Sequence, residues 1–300
     1  MFRPSVALLC SSLALCFCQS ALAWNAAGHR LVAAIAWRHM PGEAREQVAD
    51  LLRLHPFHSR WTSKASDDPA YQAFLESSTW PDDIRRDDRF YDEEQERPTP
   101  PLPALPDTAR HKSWHYVDVA DDGNRSGELD RQIERLGRLL ADPATRREER
   151  IYALPWLIHL FGDVHQPLHV GQHDDEGGNA VAIENPFNPR LPNTNLHAWW
   201  DDLPGPPWLR GKRLEDAADR LLATYPQAPR QGGVALWLDE SRRIGRQQAY
   251  PPPGTGAVPV ISADFRDQSR AIANRRLTEA GYRLGRLLSE LLGSVPRGTR

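Results

Sequence analysis

The chain has 300 residues, 40% of them hydrophobic, which is enough apolar material for a buried core in one large domain or two small ones. Its 37 Lys and Arg stand against 40 Asp and Glu, a formal net charge of −3, so no overall basic field marks a nucleic-acid binder, and a phosphate substrate would need cations from elsewhere. All three cysteines, Cys10, Cys16 and Cys18, precede residue 24, which excludes a disulfide or a thiolate metal site from everything that follows.

Residues 1–23 read as a secretory signal peptide. Arg3 is a basic start, Val6 to Phe17 an apolar run, and Ala21-Leu22-Ala23 a small-residue cleavage site. The run is short and broken by Ser11 and Ser12, which disfavours a membrane anchor, and nothing after residue 24 is long and apolar enough to span a bilayer. Cleavage would leave a domain of residues 24–300 beginning at Trp24. A free α-amino group titrates at about 7.7–8.0. A metal can displace its proton and take the nitrogen and the carbonyl oxygen of Trp24 as a chelate, with His29 completing the grip.

Helical periodicity over 28–39 and 42–54, broken by Pro41-Gly42, predicts an antiparallel pair. A helix over 67–78 then delivers Thr79-Trp80-Pro81-Asp82-Asp83-Ile84-Arg85, where Asp82 lies three residues before Arg85. Such a pair is most often a surface salt bridge of little energetic weight. Residues 97–106 are proline-rich and predict an extended surface loop. It leads to Trp114-His115-Tyr116-Val117-Asp118-Val119, an isolated strand or extended stretch whose polar residues are His115 and Asp118. Asn124-Arg125-Ser126 is formally a glycosylation sequon.

Ser126–Ala141 and Thr145–Gln166 predict two more helices, the second apolar nearly all round and therefore central. His159 and Asp163 stand four apart on it, the spacing by which two side chains project from one face and grip one cation. Pro167 cannot continue the helix, so His169 is aimed differently, which opens the way to a second metal. A lone His–Asp pair is more often a satisfied hydrogen bond. Here Asn195-Leu196-His197-Ala198-Trp199-Trp200-Asp201 repeats the spacing with His197 and Asp201, and two such pairs favour metal over coincidence.

Between the pairs, 171–192 is turn-rich, and Gly177-Gly178-Asn179 precedes the alternating Ala180-Val181-Ala182-Ile183, which predicts a hairpin. Helices follow at about 211–224, 233–249 and 263–292, the last carrying a core-facing stripe of Leu277, Tyr282, Leu284, Leu287, Leu288 and Leu291. No internal repeat or domain linker interrupts the chain.

Trp24, His29, Asp82, His115, His159, Asp163, His169, His197 and Asp201 together offer nitrogen and oxygen ligands without sulfur, a set suited to zinc. In this order they resemble, over essentially all of the mature sequence, the S1/P1 nuclease family of secreted zinc-dependent nucleases. The carrying motifs are Trp-x-x-x-Gly-His from Trp24, Trp-Pro-Asp-Asp-Ile-Arg from Trp80, Trp-His-Tyr-Val-Asp from Trp114, His-x-x-x-Asp-x-His-Gln-Pro-Leu-His from His159, Gly-Gly-Asn from Gly177 and Asn-Leu-His-x-x-Trp-Asp from Asn195.

The resemblance implies a mainly α, single-domain multi-helix fold of the zinc-dependent nuclease and phospholipase C type, with a short β-hairpin insertion. Three Zn2+ per chain would sit at the bottom of a cleft. By position, Asp82, His115, His159 and Asp163 would hold the first, and His169, His197 and Asp201 the second. The amine and carbonyl of Trp24, His29 and a bridging Asp163 would hold the third. Asp118 would orient the nucleophile and Arg85 would donate to the phosphoryl transition state, with Asn179 near the substrate and an aromatic stacking on a base.

The implied activity is endonucleolytic hydrolysis of single-stranded DNA and RNA to 5′-phosphorylated products, with 3′-nucleotidase activity on nucleotides. The implied protein is monomeric, secreted or periplasmic, and without integral membrane association. Fungal and plant relatives carry disulfides and glycans, whereas this mature chain has no cysteine, which looks bacterial. A zinc-dependent phospholipase C is the alternative enzyme, but the Trp80–Arg85 and Asn195–Asp201 segments favour the nuclease. A non-catalytic zinc-binding protein is the third reading, against which Arg85 and Asp118 argue, since structural zinc requires neither.

Overall fold

The computed structural model describes residues 24–293 apart from 64–66, 121, 172, 230–231 and 254–255; the expected signal peptide lies outside the described residues. The chain is mainly helical. Helix α1 (Ala26–His39) is capped by the Asn25 side chain, which accepts from the Ala27 amide, and α2 (Gly42–Arg53) follows the Pro41 break. Short α3 (His58–Trp61) leads to α4 (Pro69–Ser77), which starts with Asp68 as cap and proline in its first turn, and then to α5 (Trp80–Asp83).

After the 97–106 loop, a turn of tighter helix at Lys112–His115 runs into β1 (Val117–Val119). Here two expectations change. β1 is not isolated: it pairs antiparallel with β2 (Arg125–Gly127), with Asp118 opposite Ser126. The helix expected from Ser126 therefore begins later, as α6 (Leu129–Ala141), because Gly127 at φ +79° places its missing Cβ against the Tyr116 carbonyl and closes the strand pair.

The central helix, α7, spans Arg147–Asp163 and passes through Pro155. It stops short of the expected Gln166, since the amides of His165 and Gln166 bond back to the Gly162 and Asp163 carbonyls in a turn and Pro167 has no amide to offer. A further tight turn covers Pro167–Val170. The expected hairpin is present, with its pairing between β3 (Ala182–Glu184) and β4 (Asn193–Asn195). Among the described residues four helices follow: α8 (Leu196–Asp201), α9 (Lys212–Thr224), α10 (Val234–Gln248) and α11 (Ala263–Leu292).

Every residue of α7 from Ile151 to Asp163 is buried, so the helix reads as apolar because it has no solvent face. α1 lies directly against α11. A Cβ on Gly281 would fall 2.5 Å from the Ile35 side chain and one on Gly285 2.7 Å from the Ala36 carbonyl, so glycine on α11 and the alanines of α1 allow the close approach. Of the stripe expected on α11, Leu277, Leu284 and Leu288 are fully buried, joined by Leu292 and by Arg276 and Arg283. Among the described residues no helix is long and apolar enough to cross a membrane.

Candidate metal centre

The last turns of α7 carry His159 and Asp163, with Nε2 of the histidine 3.4 Å from Oδ2 of the aspartate. His115, at the end of the turn before β1, brings its Nδ1 to 3.1 Å from the same Oδ2 and 3.1 Å from His159 Nε2. Asp82 enters from α5, its Oδ1 3.8 Å from His159 Nε2. On the opposite side His29 of α1 stacks on His159, ring centroids 3.8 Å apart, and points Nε2 at Asp163 Oδ1, 3.4 Å away. Asp163 thus presents one oxygen to His29 and the other to His115 and His159.

A second group forms where the Pro167–Val170 turn meets α8. The Nε2 atoms of His169 and His197 lie 3.1 Å apart, and Asp201 places Oδ1 3.9 Å from the first and Oδ2 3.6 Å from the second. α8 starts with Asn195 accepting from the Ala198 amide, which fixes the short helix on which His197 and Asp201 share a face.

Hydrogen bonds on the far side of these rings settle which nitrogen carries the proton. His159 Nδ1 faces the Ser78 carbonyl at 2.8 Å, His169 Nδ1 the His115 carbonyl at 2.6 Å, and His197 Nδ1 the Gly177 carbonyl at 2.7 Å. A carbonyl only accepts, so each Nδ1 carries the proton and each Nε2 of a neutral ring keeps its lone pair. For His169 and His197 this sets two lone pairs facing one another. Two acceptors cannot bond, and a cation between them resolves the conflict.

Unpartnered buried atoms point the same way. Both nitrogens of His29, His115 Nε2, Asp82 Oδ1, Asp163 Oδ1, Asp201 Oδ2 and Asp118 Oδ1 have no hydrogen-bond partner. Burial, then the neighbouring Asp82 and Asp201 charges, pushes Asp163 far above the carboxylate range. Burial likewise raises Asp201. Burial and neighbouring histidines hold His29 and His115 well below the ordinary imidazole value. Without cations the site is a set of acids reluctant to ionise beside bases reluctant to protonate; oxygen and imidazole donors of this kind fit zinc.

Arg85 and Asp118 border the clusters. Arg85, in the turn after α5, lies 3.6 Å from Asp82 Oδ1 with its side chain only 10% exposed, so this is not the surface ion pair that the spacing most often means. Asp118 on β1 is buried, and its carboxyl is pushed up to about 7 by burial, with Asp175 and Glu176 adding to the rise and the Gly171 amide opposing it. Trp24 is fully buried just before α1, and the next amide, Asn25, donates to the Asp201 carbonyl at 3.0 Å, which ties the segment before α1 to α8. Asn179 is half-buried and its side-chain amide donates to the Glu176 carbonyl.

Sequence reasoning passed over several supporting residues. Gly162 precedes Asp163 because a Cβ there would fall 2.7 Å from His29 Nδ1. Gly177, at φ +61°, offers its carbonyl to His197 while a Cβ on it would approach the Leu168 carbonyl at 2.5 Å. Gln166 donates to Asp201 Oδ1 at 2.9 Å and accepts from the Leu168 amide. Glycine and glutamine inside ligand-rich motifs were the available signals.

The S1/P1 nuclease profile matches residues 24–293. The chain is similar to Endonuclease 4 of Arabidopsis thaliana, 26% identical over 303 residues that cover 92% of each chain. It is also similar to Endonuclease 5 of the same plant, 33% identical over 214 residues, 64% of this chain and 65% of the other. Nuclease S1 of Aspergillus oryzae is 23% identical over 217 residues, covering 62% and 73% respectively.

Proposed function

Because this chain belongs to the S1/P1 nuclease family, we propose that it is a secreted, single-domain zinc-dependent endonuclease. It cleaves single-stranded DNA and RNA to 5′-phosphorylated products and removes 3′-phosphate from nucleotides. The observation that carries this reading is the approach of the His169 and His197 Nε2 atoms, 3.1 Å apart beside Asp201 with both Nδ1 protons committed to carbonyls, an arrangement that a cation between them would stabilise.

Three zinc ions would be held by Asp82, His115, His159 and Asp163; by His169, His197 and Asp201; and by His29, Asp163 and the amine and carbonyl of Trp24. Zinc supplies Lewis-acid charge that neutralises the attacked phosphate and makes a neighbouring water acidic. The remaining work falls to side chains. Asp118 holds the attacking water through its unpartnered Oδ1, accepting a hydrogen bond from it and orienting it. Arg85, steadied by Asp82, donates its planar fork to phosphate oxygens as charge grows on them. Asn179 directs its remaining amide oxygen to the nucleotide.

Depth governs the choice of substrate. His159 and Asp163 have no exposed surface, so a phosphodiester must descend to them, which a flexible strand can do and a stacked duplex cannot. The test measures initial rates on a single-stranded oligodeoxynucleotide, its duplex, RNA and a phosphatidylcholine analogue, alongside zinc content. Faster cleavage of the single strands with zinc bound supports the reading; equal rates on the duplex, or turnover of the lipid alone, would sink it.

A further inference from the structure

Only the segment 164–168 separates Asp163 from His169, so its conformation sets how far apart the two clusters lie. Side chains from α10 and α11 hold that segment from behind. Ser241 Oγ donates to the Val164 carbonyl at 2.6 Å, and Arg276 donates through Nη2 to Ser241 Oγ at 2.8 Å and through Nε to the His165 carbonyl at 3.3 Å. Arg283 Nη1 lies 3.0 Å from His165 Nε2. A guanidinium can only donate, so Nε2 accepts and the ring proton sits on Nδ1, where it is donated to the Phe161 carbonyl at 2.8 Å.

Both guanidiniums are 2% exposed, and both donate to Glu240, at 2.8 Å from Arg276 and 2.7 Å from Arg283. Burying two arginines carries a large desolvation cost that an apolar pair of the same volume would avoid. What they provide in this position is specific: partners for carbonyls that the end of α7 leaves without helical bonds, and positive charge at the negative end of its dipole. From the front of the same segment, Gln166 reaches Asp201. None of Ser241, Arg276 and Arg283 belongs to either cluster.

We propose that Ser241, Arg276 and Arg283, acting through Val164 and His165, are positioning residues that fix the spacing between the Asp163 cluster and the His169 cluster. The proposal rests on the reading that these clusters hold zinc. C-terminal helix α11 thereby becomes part of the metal site at one remove. Partners bonded directly to a metal ligand typically change metal affinity by about 10–100-fold when lost, and these residues, one bond further out, act at the lower end of that range.

Two mild variants of the full-length mature holoenzyme test it. Ser241→Ala removes one hydroxyl, and His165→Asn keeps a donor for the Phe161 carbonyl while falling short of Arg283. Each should release zinc at a chelator concentration about tenfold below that of the parent, and each should lose more melting temperature as holoenzyme than after zinc removal. A residue that merely supports the fold would lower both melting temperatures equally. Parent-like zinc release with equal losses would overturn the positioning role. A parent protein that binds no zinc would overturn the assignment of the clusters instead, and the two failures are distinct.

Discussion

Substituting Gly162 by alanine should disable one part of the metal centre while leaving the fold in place. The added Cβ would stand 2.7 Å from His29 Nδ1 and 2.9 Å from Cε1, both on a ring with no exposed surface. Carbon contacts settle near 3.5–4.0 Å, so the ring must retreat by about 1 Å. Overpacking of this kind costs about 1–3 kcal/mol, and replacing glycine inside a helix returns about 1 kcal/mol. Net destabilisation is therefore on the order of 1 kcal/mol, a loss of a few degrees. A zinc ligand, by contrast, tolerates displacement of only about 0.2 Å. Gly162→Ala should lose zinc selectively from the site that His29 serves, with turnover down at least about tenfold. Elemental analysis after passage through a weak chelator, with a melting curve on the same sample, reads both effects. Parent zinc content and parent turnover would refute the steric argument.

Keeping residue 23 on the mature protein should weaken the same site, because an amide nitrogen is a poor ligand where a free amine is a good one; zinc content and activity of a tagged and a processed N-terminus compare the two directly. Chelation should lower the melting temperature along with activity, since the proposed ligands draw α1, α5, α7 and α8 together, and an unchanged melting temperature would make the metals catalytic only. Asp118→Asn should abolish most activity yet stabilise the zinc-free protein. The unfolded carboxyl ionises near 3.8 and the folded one only at about 7, so the folded state holds an extra proton between these values. Its stability falls as pH rises across that window and then levels. In chelator, the variant should exceed the parent by on the order of 4 kcal/mol at pH 8 and by little at pH 4; a pH-independent gain would trace to packing.

His159 with Asp163, and His197 with Asp201, were legible because helical geometry converts a four-residue spacing into a shared face, and both pairs do share one. Which residues converge from afar was another matter. His29 and His115 reach Asp163 over more than a hundred residues and nearly fifty, and no local periodicity encodes such closure; only the order of motifs carried it. Helix ends misled for a local reason. The helix expected from Ser126 starts three residues late, because Gly127 adopts a left-handed backbone to close β1 against β2 and strand pairing claims 126–127 first. Two arginines of α11 were hidden for a different reason. Arg276 and Arg283 each stand next to a stripe leucine, where a long cation gives no sequence signal of burial, yet both are buried.

A net charge of −3 and a polyanionic substrate look incompatible until charge is located rather than summed. Three Zn2+ ions would bring six positive charges into a volume where Asp82, Asp163 and Asp201 supply three negative ones, and Arg85 adds one more positive beside Asp82. With the ions bound, the buried site would be strongly positive, while the chain as a whole has no basic field to hold a duplex backbone along its length. Burial makes the same carboxylates reluctant to ionise without metal, as the raised values of Asp163 and Asp201 show. Zinc and phosphate recognition would therefore be linked through one set of acids: bound metal would keep them ionised, and they would keep the metal where an incoming phosphate must meet it.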